Sequence, residues 1–502
     1  MESDLPQAPS TPEEKVGFAY WADRVLEEHS NVGGALPVGP IHDLRVSLRR
    51  CILIADVMRG SDPTCDWKAV RKSARRMFQR LGALRDTQVL TEWIEKLGTP
   101  DEASTIALLD ILKKRHEQDR IDARAAIREF DRKEWRGWRR EFLKHYRRMA
   151  SDRAACESLA LEILENVRAL NRRAQRTGSL SAYHRLRVGL KKFRYAVENF
   201  LPSLYPVWEP DLKVLQDLLG EIHDLTVLED LIVKNQSLFE EAKFAEWRAK
   251  VEEQRAPRLA QYREKVSGKT SPLRMWRESL PAEKDLRAAG LARLGAWASF
   301  VTPDFPRARR LARLSLQLYD GLANCGLMSA APQFDERFVL HAAALLQDAG
   351  RFQKGKAYHK EAYRMIRKLA PPPGWSKKDI EFAAIIARFH RRALPYPDHA
   401  KLSGYELPLR QALIRLAAIL RLANAFQAKP YRAIRRLQIE NASDCLAIRA
   451  EGFREGDPFH TKLSVGQRFF EFVFQRTVRI LPPGTRVMLP QIVRPDAQSD
   501  AA

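Results

Sequence analysis

Apolar residues return every three or four positions through long polar stretches of this chain. Over 104–149 and 152–176 they do so among many Arg, Lys and Glu, with few breakers. That is the pattern of amphipathic helices burying one stripe. Breakers gather at 31–40, 60–63, 98–100, 177–181, 202–210, 267–282 and 370–376, so the helices between them should be long and joined by turns. Only 436–449 and 474–480 alternate apolar and polar residues around turn formers, which predicts strands. The expected fold is mainly α, with a small β element near the C-terminal end. Residues 266–285 read as a linker, 1–11 as a disordered N-terminus and 483–502 as a tail. Two domains also suit the length of 502 residues, because single cores rarely grow beyond about 250–300.

No apolar run approaches the roughly 18 residues of a membrane span, and the acidic, polar N-terminus is unlike a secretory signal. Cys51, Cys65, Cys156, Cys325 and Cys445 stand far apart with no Cys-x-x-Cys pair. They read as reduced thiols of a cytoplasmic protein, neither a disulfide framework nor a zinc site. Charge changes the picture more. With 86 Lys and Arg against 63 Asp and Glu, the formal charge is +23, so the expected partner is an anion or polyanion. Residues 1–300 carry 53 basic and 45 acidic residues, and 301–502 carry 33 and 18. Any basic site in the first part must therefore come from arrangement.

Arrangement is what repeats. HDLRVSLR at 42–49 returns as HRLRVGLK at 184–191, and LGALRDTQVL at 81–90 returns as LGEIHDLTVL at 219–228. Two segments in the same order at nearly the same spacing predict a duplicated helical unit, about 12–150 and 151–265. At 100° per residue, His184, Arg187, Lys191 and Arg194 fall within about 80° of arc, opposite Leu186, Leu190, Phe193 and Val197. The first copy sets His42, Arg45 and Arg49 against Leu44, Leu48 and Cys51, with Arg50 and Lys192 flanking the two rows. Arg71, Lys72, Arg75 and Arg76 extend the first copy, while the second copy matches only Arg75, with Lys213. The rows lack the acidic i+4 partners that lace an exposed helix, so clustered cations are left to an anion.

These segments resemble the CHAD domain, over about residues 12–265. The resemblance implies two helical bundles around a basic central cavity that binds inorganic polyphosphate, with association with polyphosphate granules as an extension. It places His42, Arg45, Arg49 and Arg50 in the first basic motif, and His184, Arg187, Lys191, Lys192 and Arg194 in the second. Arg85 and His223 precede Asp86 and Asp224 in the LGxxxD segments, whose aspartates are expected to orient basic side chains. Arginine's bidentate fork suits phosphate oxygens. With Arg71, Lys72, Arg75, Arg76 and Lys213, these cations and histidines form the expected polyphosphate site, with no cofactor and no metal.

Farther along, FVLHAAALLQDAG at 338–350, IIARFHRRALP at 385–395 and LIRLAAILRLANAF at 413–426 resemble HD-type helical domains. With flanking segments over 286–482, they look like the C-terminal domain of the exopolyphosphatase and guanosine-pentaphosphate phosphohydrolase family. The resemblance implies metal ligands on a first helix, at a His-Asp pair and at a late Asp. Here those positions read Arg307, Gln347-Asp348 and Asn424, and one carboxylate is too few for a hydrolytic metal. The expected role is a supplementary anion surface without catalysis, made of Arg364, Arg367, Lys368, Arg388, Arg391 and Arg392, with Lys354, Lys356 and Lys360 nearby. The alternatives are a phosphohydrolase acting through an atypical HD site, and a nucleic-acid binder, since a basic groove also attracts DNA or RNA.

Overall fold

The computed structural model describes residues 16–33, 36–328, 334–351, 357–427, 434–442, 445–453 and 460–485. The expectations for 1–11, for most of 483–502 and for Lys354 and Lys356 lie outside the described residues. The fold is mainly α: the described residues form seventeen α-helices and one three-stranded sheet. None of these helices is long and apolar enough to cross a membrane. The chain divides into two compact units, Met1–Phe300 with Pro372–Gly374, and Val301–Pro371 with Trp375–Ala502.

In the first unit the duplication becomes two sets of four helices. The first set is α1 (Gly17–Val32), α2 (Val38–Ser61), α3 (Trp67–Leu97) and α4 (Ala103–Arg128). The second is α6 (Arg153–Thr177), α7 (Leu180–Phe200), α8 (Tyr205–Lys234) and α9 (Glu241–Lys265), and α5 (Arg132–Ala150) connects them. Local chemistry fixes the helix starts. The side chains of Asp66, Asp152 and Ser179 each accept a hydrogen bond from a free backbone N–H of the first turn. Gly178 ends α6 in the left-handed conformation, at φ 63°. The break expected across 202–210 is shorter than that. Pro206 sits in the first turn of α8, where its missing N–H costs nothing, and the helix also runs through Pro210.

The two sets pack α2 against α7 and α3 against α8. Leu90, Ile94, Leu108 and Leu112 meet Leu225, Leu228, Ile232, Trp247 and Val251 in one buried cluster. Leu90 and Ile94 match Leu228 and Ile232 in the repeat register, so the same positions of both copies close the shared core. Residues 266–285 are not a free linker. They carry α10 (Pro272–Glu278), whose Trp276 is buried against Phe193 and Trp208, at ring separations of 5.4 and 6.1 Å. Burying an indole of this size is worth more than leaving the segment loose. Nearly all of α11 (Glu283–Val301) also falls in the first unit.

The second unit contains α12 (Phe305–Asn324), α13 (Glu336–Leu346), α14 (Tyr358–Arg367), α15 (Lys377–Arg388) and α16 (Leu407–Ala425). It continues with β1 (Arg436–Asn441), β2 (Leu446–Glu451), α17 (His460–Phe474) and β3 (Val478–Leu481). β1 pairs antiparallel with β2, and β2 pairs parallel with β3, for which α17 supplies the crossover.

The symmetric core gives the first test. Ile232→Ala removes a fully buried side chain from the junction of the two sets, so it should destabilise the first unit by about 2–5 kcal/mol. Urea unfolding followed by tryptophan fluorescence measures this.

Candidate anion-binding cavity

Where α2 and α3 face α7 and α8, a cavity of about 540 Å³ opens between the two copies. Its walls bring equivalent positions of the repeat together: Arg45 with Arg187, Arg49 with Lys191, Asp86 with Asp224, and Val89 with Val227. Arg71, Arg75, Phe78 and Gln79 enter from α3, Lys192 and Tyr195 from α7, and His223 from α8. Gly82 explains part of this placement. A Cβ there would come within 2.8 Å of the Arg45 guanidinium, so the glycine of the first LGxxxD segment lets Arg45 lie against α3. Arg45 then donates to the Phe78 carbonyl at 3.3 Å and stacks 4.8 Å from its ring. In the second copy a Cβ on Gly220 meets nothing within 4 Å, and Arg187 is not held this way.

The charges are poorly compensated. Among the described residues, neither Asp86 nor Asp224 makes a direct ion pair, and neither do Arg45, Arg49, Arg187, Lys191 and Lys192. Arg49 donates instead to the Tyr195 hydroxyl at 3.2 Å, and the buried Arg187 Nε has no partner. Burial, reinforced by Arg187 and Arg49, pushes Lys191 down to about 6. Burial with the same Arg187 pushes His223 down to about 4, and burial beside Arg49 lowers Arg45 to about 10. Burial raises both aspartates. Each shift moves a group toward its neutral form: burial disfavours every charge here, and for Arg45, Lys191 and His223 the neighbouring cations add to it.

The expected residues therefore separate. Arg45, Arg49, Arg71, Arg75, Arg187, Lys191, Lys192 and His223 line the cavity. His42 and Arg85 line an adjoining pocket of about 320 Å³ that shares Arg45. His184 is exposed and lies beside the cavity, its Nδ1 3.2 Å from Nδ1 of His223. Lys72, Arg76 and Lys213 are exposed and line neither space.

Two expected contacts are structural. Arg50 makes a buried bidentate pair with Glu198, at 2.8 and 2.7 Å, between α2 and α7, and stacks 4.2 Å from the Trp21 ring. Arg194 is held by Tyr205 at 3.0 Å, Gln216 at 3.1 Å and Glu209 at 3.4 Å. Both point away from the cavity because an acid or hydroxyl on another helix claims them. Sequence reasoning missed Phe78, Tyr195 and Asp56. Asp56 pairs with Arg71 at 2.5 Å and partly neutralises the rim. Tyr195 was legible as the next turn after Lys191.

In the second unit, the residues at the expected metal positions hold one another. Arg307 donates to Asp348 at 2.7 Å and to Asn424 at 2.8 Å, so a guanidinium lies where those two side chains converge. Gln347 is fully buried. With a single carboxylate already salt-bridged, these residues do not fit a divalent hydrolytic metal. The expected supplementary surface is partly self-neutralised. Arg364 pairs with Glu361 at 3.2 Å and Arg367 with Glu381 at 3.6 Å. Arg391 lies 5.1 Å from the Tyr358 ring, Arg388 is half-buried with one unpartnered nitrogen, and Lys368 and Arg392 are exposed.

The first unit is a duplicated helical scaffold around an undercompensated basic cavity. The family models make this specific: residues 24–233 match the CHAD domain, and residues 297–454 match the Ppx/GppA phosphatase, domain III. The chain thus combines a CHAD domain with a Ppx/GppA-type third domain, a pairing that fits a polyphosphate-related role. No curated protein matches it.

The division between paired and unpaired cations can be tested on Arg50. Arg50→Ala strands the buried Glu198 carboxylate and should cost about 3–5 kcal/mol of stability. Thermal melts should record that loss. Wherever the variant is folded, its affinity for polyanions should stay close to that of the wild type.

Proposed function

We propose that the chain binds inorganic polyphosphate in the cavity between the two copies and does not hydrolyse it. One observation carries this reading: the cavity's cations Arg45, Arg49, Arg187, Lys191 and Lys192 lack ion-pair partners among the described residues, whereas Arg50 and Arg194, one residue or one turn away, are neutralised by acids. A repeating phosphate chain offers no base edges to read, so recognition rests on several cations and donors along its path. Arg45, Arg49 and Arg187 supply guanidinium donors, and Lys191 and Lys192 supply point charges. Phosphate oxygens would bring Lys191 back toward its ordinary range and draw a proton onto it. Asp86 and Asp224 make no direct ion pair with the guanidiniums, and would favour the charged forms of Arg45 and Arg187 only through space. The cavity would also carry the chain to polyphosphate granules. For the second unit, the Arg307–Asp348–Asn424 arrangement supports a role without catalysis.

Long-chain polyphosphate should bind with an affinity that falls linearly in log salt and survives chelation by EDTA. Arg49→Gln and Arg187→Gln should each weaken binding by about 10- to 100-fold, the worth of a charge-assisted hydrogen bond. Unchanged affinity in both variants, read by calorimetry, would sink the cavity assignment. Stronger binding to duplex DNA or RNA at equal charge would replace polyphosphate as the ligand. Orthophosphate release that requires a divalent metal and disappears in Asp348→Ala would make the chain an enzyme.

The pH dependence has a definite sign. In the free cavity Lys191 loses its proton above about pH 6, and in the complex it keeps it toward the ordinary value of about 10.4. Binding between these limits takes up a proton, so affinity should fall as pH rises and level off below about 6. Titrations in buffers of different ionisation enthalpy count that proton, and Lys191→Gln should flatten the profile.

A further inference from the structure

Away from the cavity, the first unit gathers three metal-ligating side chains at one point. Asp62 caps the end of α2, Cys65 lies in the turn before α3, and His145 comes from α5. One ligand atom from each lies within 4.8 Å of the other two. Asp62 is fully buried, and among the described residues its one ion-pair partner is His145, whose Nδ1–H donates to it at 2.9 Å. The Thr64 backbone at 2.9 Å, the Thr64 hydroxyl and the Trp67 indole at 3.1 Å supply its other hydrogen bonds. In a chain of formal charge +23, this is a locally negative spot that no lysine or arginine answers among the described residues.

We propose that Asp62, Cys65 and His145 hold a divalent metal ion of the zinc class, with a fourth position open to water. A thiolate, an imidazole and a carboxylate are the donor types such an ion takes, and three protein ligands leave a tetrahedral site open. The chemistry balances simply. The Cys65 thiol gives its proton to solvent and its sulfur binds as thiolate. The neutral imidazole keeps one proton, moved from Nδ1 to Nε2, and Nδ1 binds the ion. Thr64 and Trp67 remain on Asp62 as outer-shell donors that fix its orientation. The ion would tie together the end of α2, the turn into α3, and α5. Sequence spacing hides the site, because Cys65 has no cysteine partner and His145 stands 80 residues away.

Full-length protein, freed of metal and of any polyphosphate, should take up one Co²⁺ per chain. It should show near-ultraviolet thiolate-to-cobalt absorption that Zn²⁺ displaces. Zn²⁺ binding at neutral pH should release one proton, and by mass action it should raise the melting temperature. Cys65→Ser should lose the absorption band. His145→Gln should lose more affinity than the roughly 10- to 100-fold that removal of an outer-shell partner costs. Failure of the wild type to bind Co²⁺ stoichiometrically overturns the proposal whether or not the variants fold. So does a thiolate band that survives Cys65→Ser.

Discussion

The first unit depends on holding cations together without neutralising them. Arg45, Arg49, Arg187 and Lys191 share one cavity, and burial and mutual repulsion lower Arg45, Arg187 and Lys191 alike. Such a cluster would spread apart on a loose scaffold. It stays because α2 is fixed to α7 by the buried Arg50–Glu198 pair, and α3 and α8 close on a shared apolar core. The unpaired and the paired cations thus sit on the same helices, one residue or one turn apart. What separates them is whether the opposing helix presents an acid.

Duplication explains how such a cluster can arise from a nearly balanced sequence. A single copy offers one basic row on one helix, which water can solvate. Packing two copies face to face puts two rows across one space, and the repeat register matches Arg45 with Arg187 and Asp86 with Asp224. The copies are not equal, however. Gly82 seats Arg45 against α3, while Gly220 imposes nothing comparable on Arg187. Arg71 and Arg75 extend the basic wall on the first side only. The two walls of the cavity are therefore asymmetric.

Much of this was legible in the sequence. The motifs recurring near offsets of 138 and 142 residues located both halves, and the helical faces picked out Arg45, Arg49, Arg187 and Lys191. Helical geometry could not say which flanking cation finds an acid on a neighbouring helix. Arg50 and Arg194 were grouped with the site for that reason, though tertiary partners claim both. The linker reading of 266–285 failed similarly. Its breakers are real, but Trp276 has a hydrophobic seat against Phe193 and Trp208 that no local pattern reveals.

In the second unit net charge is a poor guide to uncompensated charge. Residues 301–502 carry the larger basic excess, yet several of its arginines answer acids or carbonyls within the unit. Arg307 bridges Asp348 and Asn424, Arg367 reaches Glu381, and Arg421 donates to the Phe389 and Ala393 carbonyls at 2.9 and 3.3 Å. An arginine between a carboxylate and an amide contributes its positive charge internally and ties α12 to α16 and to the turn after α13. That leaves less of the excess to face a ligand than the count implies. In the first unit the excess is small, but the cations facing the cavity have few competing partners. Local compensation, more than total charge, decides where cations are left without partners.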